Sequence, residues 1–260
     1  MNHPPLTVIK IGGNIVNNEE ILNEVLNNFS EIKGKKILVH GGGRKASEVL
    51  EMMGIAPKMV KGRRVTDART MEVVTMVYSG LINTKLVTKL QTKNCKAIGL
   101  TGADFNSIKA HKRIVKDVDY GFAGDIDEIN ASEIQTLLEV GFTPVFCSIT
   151  HDNEGQLLNT NADTIASALA VALSENYEVT LRFCFEKDGV LLDVNDDNSV
   201  VEILSKKDYE NYTSTGQIYA GMIPKIDNAY DALAGGVQEV FICHSKSLNP
   251  NYFNGTKLKI

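Results

Sequence analysis

The chain has 260 residues, 43% of them apolar and 23% charged, and its 27 basic against 32 acidic side chains give a formal net charge of −5. At about 150 residues per domain this allows one large or two small domains, and a chain of this length buries enough surface to fold without a disulfide or metal staple. The acidic balance, the lack of a basic run and apolar stretches well short of the ~20 residues of a membrane span argue against nucleic acid and membrane as partners. Residues 1–6 have neither the basic nor the apolar region of a secretory signal, so the expected location is the cytoplasm.

Strand and helix signals alternate from end to end. Residues 6–11 form an apolar, β-branched run closed by Gly12-Gly13. Ile21, Leu22, Val25, Leu26 and Phe29 lie on one helical stripe over 19–29. A strand over 36–40 ends in Gly41-Gly42-Gly43, after which Ala46, Val49, Leu50 and Met53 repeat at helical spacing up to Gly54. Thr66 or Asp67 is placed to cap a long helix whose expected buried face is Met71, Val74, Tyr78, Leu81, Ile82 and Leu86. A strand over 97–100 precedes a hairpin excursion over 107–126. Asn130 and Glu133 have capping-box spacing ahead of Ile134, Leu137 and Leu138. A strand over 143–149, a helix over 161–173 and a strand over 179–185 follow, then a helix with Pro224 in its first turn and a last strand over 239–243. The alternation predicts an α/β fold: a three-layer sandwich with a mainly parallel central sheet and helices on both faces. The expected division is a lobe of residues 1–175 and a lobe of residues 176–260, although no linker or shift in composition marks it.

In an open α/β sheet, ligands bind beyond the carboxyl ends of the strands. Two glycine clusters fall there, Lys10-Ile11-Gly12-Gly13 and His40-Gly41-Gly42-Gly43. Each reads as a tight turn; together they also suit a backbone cradle for an anion. The P-loop, the GxGxxG fingerprint and the protein-kinase HRD and DFG pair are all missing. Lys61-Gly62-Arg63-Arg64 gathers three cations before a helix. Asn159-Thr160-Asn161-Ala162-Asp163 sets two amides and a carboxylate at a strand-to-helix junction, and a glycine-punctuated loop delivers Lys225 to a helix start. Taken singly these also read as a solvated patch, an N-cap and a surface lysine. Cys95, Cys147, Cys184 and Cys243 include no CxxC pair and are expected to be buried thiols. Five scattered histidines give no zinc spacing, so no metal site is expected in the protein.

The segments VIKIGG, VHGGGR, KGRRVTDARTMEVV, GQLLNTNADTIA and GMIPK, in this order, resemble the amino-acid kinase family over about residues 8–245, and within it the members that phosphorylate N-acylglutamates. The resemblance implies transfer of the γ-phosphoryl group of ATP, with Mg²⁺ bound through the nucleotide phosphates, to the γ-carboxylate of an N-acyl-L-glutamate in arginine biosynthesis. N-acetyl is the first choice of acyl group. By the same resemblance, Lys10 and Lys225 neutralise the transferring phosphoryl group and Asp163 holds both lysines. Gly12 and Gly13 contact phosphate, and Gly42, Gly43, Arg64, Asn159 and Asn161 bind the acyl-glutamate, Arg64 through its α-carboxylate. Glu186, Lys187, Asp188, Gly189, Val190 and Leu191, with Gln217, Ile218 and Tyr219, fall on the nucleotide side. A homodimer without inhibition by arginine is expected, because few residues precede the first strand. The chemistry is consistent: a γ-carboxylate ordinarily titrates near pH 4.3, so it is already ionised at pH 7 and needs no general base. What it needs is positive charge between two anions.

Three positions depart from the family pattern. Glu186 stands where an aspartate is usual, Thr150 where a glycine is frequent, and Arg63 where an apolar residue precedes the key arginine. The last two are expected to lie toward the acyl pocket, where Arg63 suits the distal carboxylate of an N-succinyl group. The competing readings are therefore an N-succinylglutamate kinase, a kinase of the aminoadipate type, and, from another class, a non-catalytic ligand-binding regulator.

Overall fold

The structure, a computed structural model, describes residues 3–193, 195–219, 221–249 and 252–260. An eight-stranded sheet has the order Ile203–Ser205, Gly255–Lys259, Glu239–His244, Glu178–Phe185, Pro5–Ile11, Lys35–His40, Thr143–Phe146, Ala97–Leu100. Six strands are parallel, and the first two of that order run against them. The pleat sends Val8, Ile37 and Val39 into one apolar core and Ile9, Ile11 and Leu38 into another. Both faces are covered, which is why these strands read as unbroken apolar runs in the sequence. Helices Ala131–Glu139, Ala162–Leu173 and Met222–Ala234 contribute to the first core; Glu19–Glu31, Gly43–Met52 and the helical stretch 68–91 build the second. This is the expected sandwich.

A smaller sheet, in the order Leu157–Asn159, Ile149–His151, Ile108–Lys112, Gly124–Ile129, and the hairpin Met59–Val60 with Arg63–Arg64 complete the N-terminal half. The hairpin turns on Lys61 and Gly62, with φ of 48° and 75°, the left-handed pair that a two-residue turn requires. Bridges Thr66–Gly121 and Ala123–Asn159 link hairpin, loop and small sheet.

Four local expectations change. The long helix starts as read, with the Asp67 carboxylate accepting the Thr70 N–H at 2.8 Å. From Met76 to Asn83, however, it is a π-helix. Its wider turn keeps Tyr78 and Ile82 buried but carries Leu81, expected inside, to 50% exposure. Asn130 forms no backbone cap; its side chain accepts the Ser132 hydroxyl instead. The 143–149 run breaks at Cys147-Ser148, so that Ile149 enters the smaller sheet. The strand Gly255–Lys259 lies beyond the expected last strand and pairs antiparallel with Glu239–His244. All four cysteines are buried and free. Among the described residues no helix is long and apolar enough to cross a membrane.

Candidate active site

Lys10 is the penultimate residue of the strand Pro5–Ile11, in the interior of the sheet. Its side chain is almost fully buried, and its ammonium lies 2.8 Å from the carboxylate of Asp163. Asp163 sits in the first turn of the helix Ala162–Leu173. Asn161 opens that turn by accepting the N–H groups of Asp163 and Thr164 at 2.7 and 3.4 Å. Burial alone raises the pKa of Asp163; the positive charges of Lys10 and then Lys225 outweigh it and hold the carboxyl below its usual range. Lys225 lies in the first turn of Met222–Ala234, over the Phe185 ring at 4.6 Å. Burial lowers its pKa, and the opposing pull of Asp163 does not restore it, with the Lys10 cation nearby. Two cations thus share one carboxylate, leaving an excess positive charge in a poorly solvated place.

A cavity of about 240 Å³ opens beside this cluster. Of the predicted residues Lys10, Gly42, Gly43, Arg64, Asn159, Asn161 and Asp163 line it. Arg64 is buried, and its Nη2 donates to Gly43 O and Ser47 Oγ, both at 2.7 Å. Its Nη1 is buried with no hydrogen-bond partner among the described residues. Buried guanidinium donors are rarely left unmade, so this one is suited to an anionic ligand. The helix Gly43–Met52 begins at Gly42 with no side-chain cap, leaving its first amides to a ligand as well. Gly42 has a second reason to be glycine: a Cβ there would meet Ile82 Cδ1 at 2.4 Å and the Tyr78 ring at 2.7 Å. The π-helix presses both side chains against the loop.

Gly12 follows the first strand and donates its N–H to Cys184 O at 3.1 Å; Gly13 opens a short helix, Gly13–Asn17. Asn14 of that helix hydrogen-bonds Glu186, which is exposed. A second cavity, about 200 Å³, is lined by the predicted Lys187, Gly189, Leu191, Gln217, Ile218 and Tyr219, and by Gly221 and Met222. Glu186, Asp188 and Val190 are not on its wall. Val190 is fully buried and donates its N–H to Thr256 Oγ1 at 2.8 Å. Met222 lies on this wall and Lys225 one turn further along the same helix, while Lys10 and Asp163 line the first cavity; Lys225, Gly12 and Gly13 are on neither wall.

Sequence reasoning missed Tyr78, Arg113, Ser148 and Thr160, which also line the first cavity. Thr160 lay in plain sight inside the NTNAD motif, whereas Arg113 gave no signal in its irregular segment. Arg63 reaches the cavity wall as expected, but Thr150 does not. Thr150 is fully buried against Thr160, their hydroxyls 2.7 Å apart, so the hydroxyl group is already satisfied. Among the described residues no three His, Cys, Asp or Glu side chains converge as a metal cluster.

The amino acid kinase family matches this chain over residues 5–244. An acetylglutamate kinase of Bacteroides thetaiotaomicron is 50% identical over 254 residues, spanning 98% of both chains. A solved protein of Streptococcus mutans UA159 superposes with a TM-score of 0.81 at 30% identity, over 98% of each chain. The carbamate kinase of Giardia lamblia bound to AMP-PNP shares the fold, with a TM-score of 0.69 at 16% identity over 99% of each.

Proposed function

Because this chain belongs to the amino acid kinase family, we propose that it phosphorylates the γ-carboxylate of an N-acyl-L-glutamate with ATP, N-acetyl-L-glutamate being the first choice. The observation that carries the reading is the Lys10–Asp163 ion pair on the wall of one cavity, with the Lys225 charge felt at Asp163 and Lys225 one helical turn from a residue on the wall of the other. One cavity offers Arg64 and free loop amides to a small dianion. The other has the mostly apolar wall of a nucleotide base site. Mg²⁺ travels with the ATP phosphates, and no cluster of protein carboxylates is required for it.

Arg64 takes the α-carboxylate. The γ-carboxylate, ionised at neutral pH, points to the glycine loop and Lys10. Its attack breaks the bond between the γ-phosphorus and the bridging oxygen of ATP and yields the acyl phosphate and ADP. Charge gathers on the equatorial and leaving oxygens during transfer, and Lys10 and Lys225 meet it there. Asp163 positions both ammonium groups and takes no proton. The lobe of residues 1–175 accordingly carries the acyl-glutamate and that of 176–260 the nucleotide. We further propose a cytoplasmic homodimer; the half-exposed Met76 and Leu81 of the π-helix support an N-terminal interface. A non-catalytic role has no use for two lysines sharing one buried carboxylate.

The test is ADP release measured with N-acetyl-, N-succinyl- and free L-glutamate. Release dependent on an N-acylglutamate and absent with free glutamate is expected; no release with any of them rejects the reading.

A further inference from the structure

The cavity beside Arg64 shares part of its wall with a neighbour. Arg63 and Arg113 line it and also line a neighbouring cavity of about 410 Å³. That second space is formed by the Lys61–Gly62 hairpin and the irregular segment after Ile108–Lys112. Its charged wall is mostly cationic: Lys61, Arg63, Arg113 and Lys116 against Asp117 and Asp125. The Asp125 carboxylate engages Arg113 through Nε at 3.1 Å and through Nη2, which leaves Nη1 of Arg113 without a hydrogen bond to the described residues. The Arg63 side chain makes no hydrogen bond or ion pair among them; its charge is felt at Asp125, whose carboxyl is held low first by the Arg113 hydrogen bond and to a smaller extent by Arg63.

An acetyl group is small and neutral and has no use for this surplus of positive charge. Arg64 already serves the α-carboxylate, and the lysines already serve the γ-carboxylate and phosphate. We propose that the acyl subsite continues into this space, so that beside N-acetyl it takes N-acyl groups of about succinyl length and, among groups of that length, favours those that end in a carboxylate, with Arg63 as the specificity-determining residue and Arg113 beside it. The inference rests on the N-acylglutamate kinase reading above and names its substrate class. The fork of a guanidinium fits a carboxylate better than an ammonium does, so the identity of the cation matters and not its charge alone.

The experiment compares kcat/KM for N-succinyl-L-glutamate with that for N-butanoyl-L-glutamate, which has the same carbon chain without the distal charge, and with N-acetyl-L-glutamate. The expected wild-type preference for succinyl over butanoyl is about tenfold or more, the size of one charge-assisted hydrogen bond. Arg63→Leu is expected to bring that ratio to within about threefold of unity, and Arg63→Lys to restore part of it. Arg63 is exposed, so neither variant endangers the fold. A wild-type ratio near unity, or a ratio unmoved in Arg63→Leu, overturns the proposal while leaving the parent reading intact if N-acetyl-L-glutamate still turns over. Turnover of none of the three rejects the parent reading itself.

Discussion

The ammonium of Lys10 and the carboxylate of Asp163 meet at 2.8 Å although one ends a strand and the other starts a helix far along the chain. The contact fixes where the strand Pro5–Ile11 and the helix Ala162–Leu173 come together. It also decides how charge is shared, because Asp163 is pulled on by Lys225 as well. An ion pair this buried gives little net stability when set against the desolvation of both partners, so its value lies in aiming two cations at one point.

That aim is testable in kinetics. Lys10→Ala and Lys225→Ala should each lower kcat by about 10²–10³, the usual cost of losing one donor to transition-state charge, while changing KM for either substrate much less. Asp163→Asn keeps the shape and removes the charge; it should also act mainly on kcat, because two unneutralised lysines repel each other out of position. Steady-state kinetics on purified variants with matched circular dichroism decide it. A lysine variant with wild-type kcat refutes the assignment.

The glycine loop gives a steric prediction. At Gly42 a Cβ would sit 2.7 Å from the Tyr78 ring and 2.4 Å from Ile82. Ile82 Cδ1 is the free end of a side chain and yields; the ring is wedged in the core and does not. Gly42→Ala should therefore cost about 1–3 kcal/mol of stability, as overpacking does, and raise KM for the acyl-glutamate by shifting the loop. Gly43→Ala meets nothing within 4 Å and should leave the melting temperature nearly unchanged. Equal melting temperatures for the two variants contradict the argument.

How far the sequence carried the reading depends on what each residue had to signal. Lys10, Asn161 and Asp163 could be singled out by local rules, at a strand end beside glycines and at an N-cap; Arg64 stood in a cationic run that also reads as a solvated patch, and the roles of all four came from the family resemblance. Leu81 was misplaced because a helical stripe assumes 3.6 residues per turn, and nothing in Met76–Asn83 announces the wider π turn. Arg113 reaches the cavity only through the folding of an irregular segment onto the small sheet, a long-range event without periodicity. Gly255–Lys259 escaped because, although it pairs on both sides, its Gly, Thr and Lys residues lack the apolar run by which the other inner strands are read.

His40 makes the pH dependence of stability specific. It is fully buried, its Nδ1 lies 2.9 Å from Gly41 O, and its Nε2 has no partner among the described residues. Burial brings its pKa down to about 4, against an ordinary value near 6.5 in the unfolded chain. Between those values the unfolded state binds the proton and the folded state does not. Stability is thus complete above about pH 6.5 and falls as pH drops toward 4, by roughly 3 kcal/mol in total. Asp163 has a lowered pKa, so its contribution is lost only below the ordinary carboxylate range and does not overlap this window. Urea unfolding from pH 7 to pH 4 should show the slope, and His40→Leu should flatten it. An unchanged slope in that variant means another group titrates.

Arg64 carries the sharpest claim about substrate. Its Nη2 is spent on Gly43 O and Ser47 Oγ, which ties the Arg63–Arg64 strand to the helix Gly43–Met52 and fixes the guanidinium plane. Its Nη1, buried and unpartnered among the described residues, is the donor left for the α-carboxylate. Removing a charged hydrogen bond costs about 1.5–3 kcal/mol, so Arg64→Ala should raise KM for the acyl-glutamate by roughly 10–150-fold and leave KM for ATP near wild type. Arg64→Lys should rescue little, because one ammonium cannot serve Gly43, Ser47 and a carboxylate at once. A loosened loop would also weaken binding in either variant, and Ser47→Ala separates the two effects. It removes one anchor and keeps the guanidinium, so it should raise KM by only a few-fold. If Ser47→Ala matches Arg64→Ala, Arg64 serves the fold rather than the α-carboxylate.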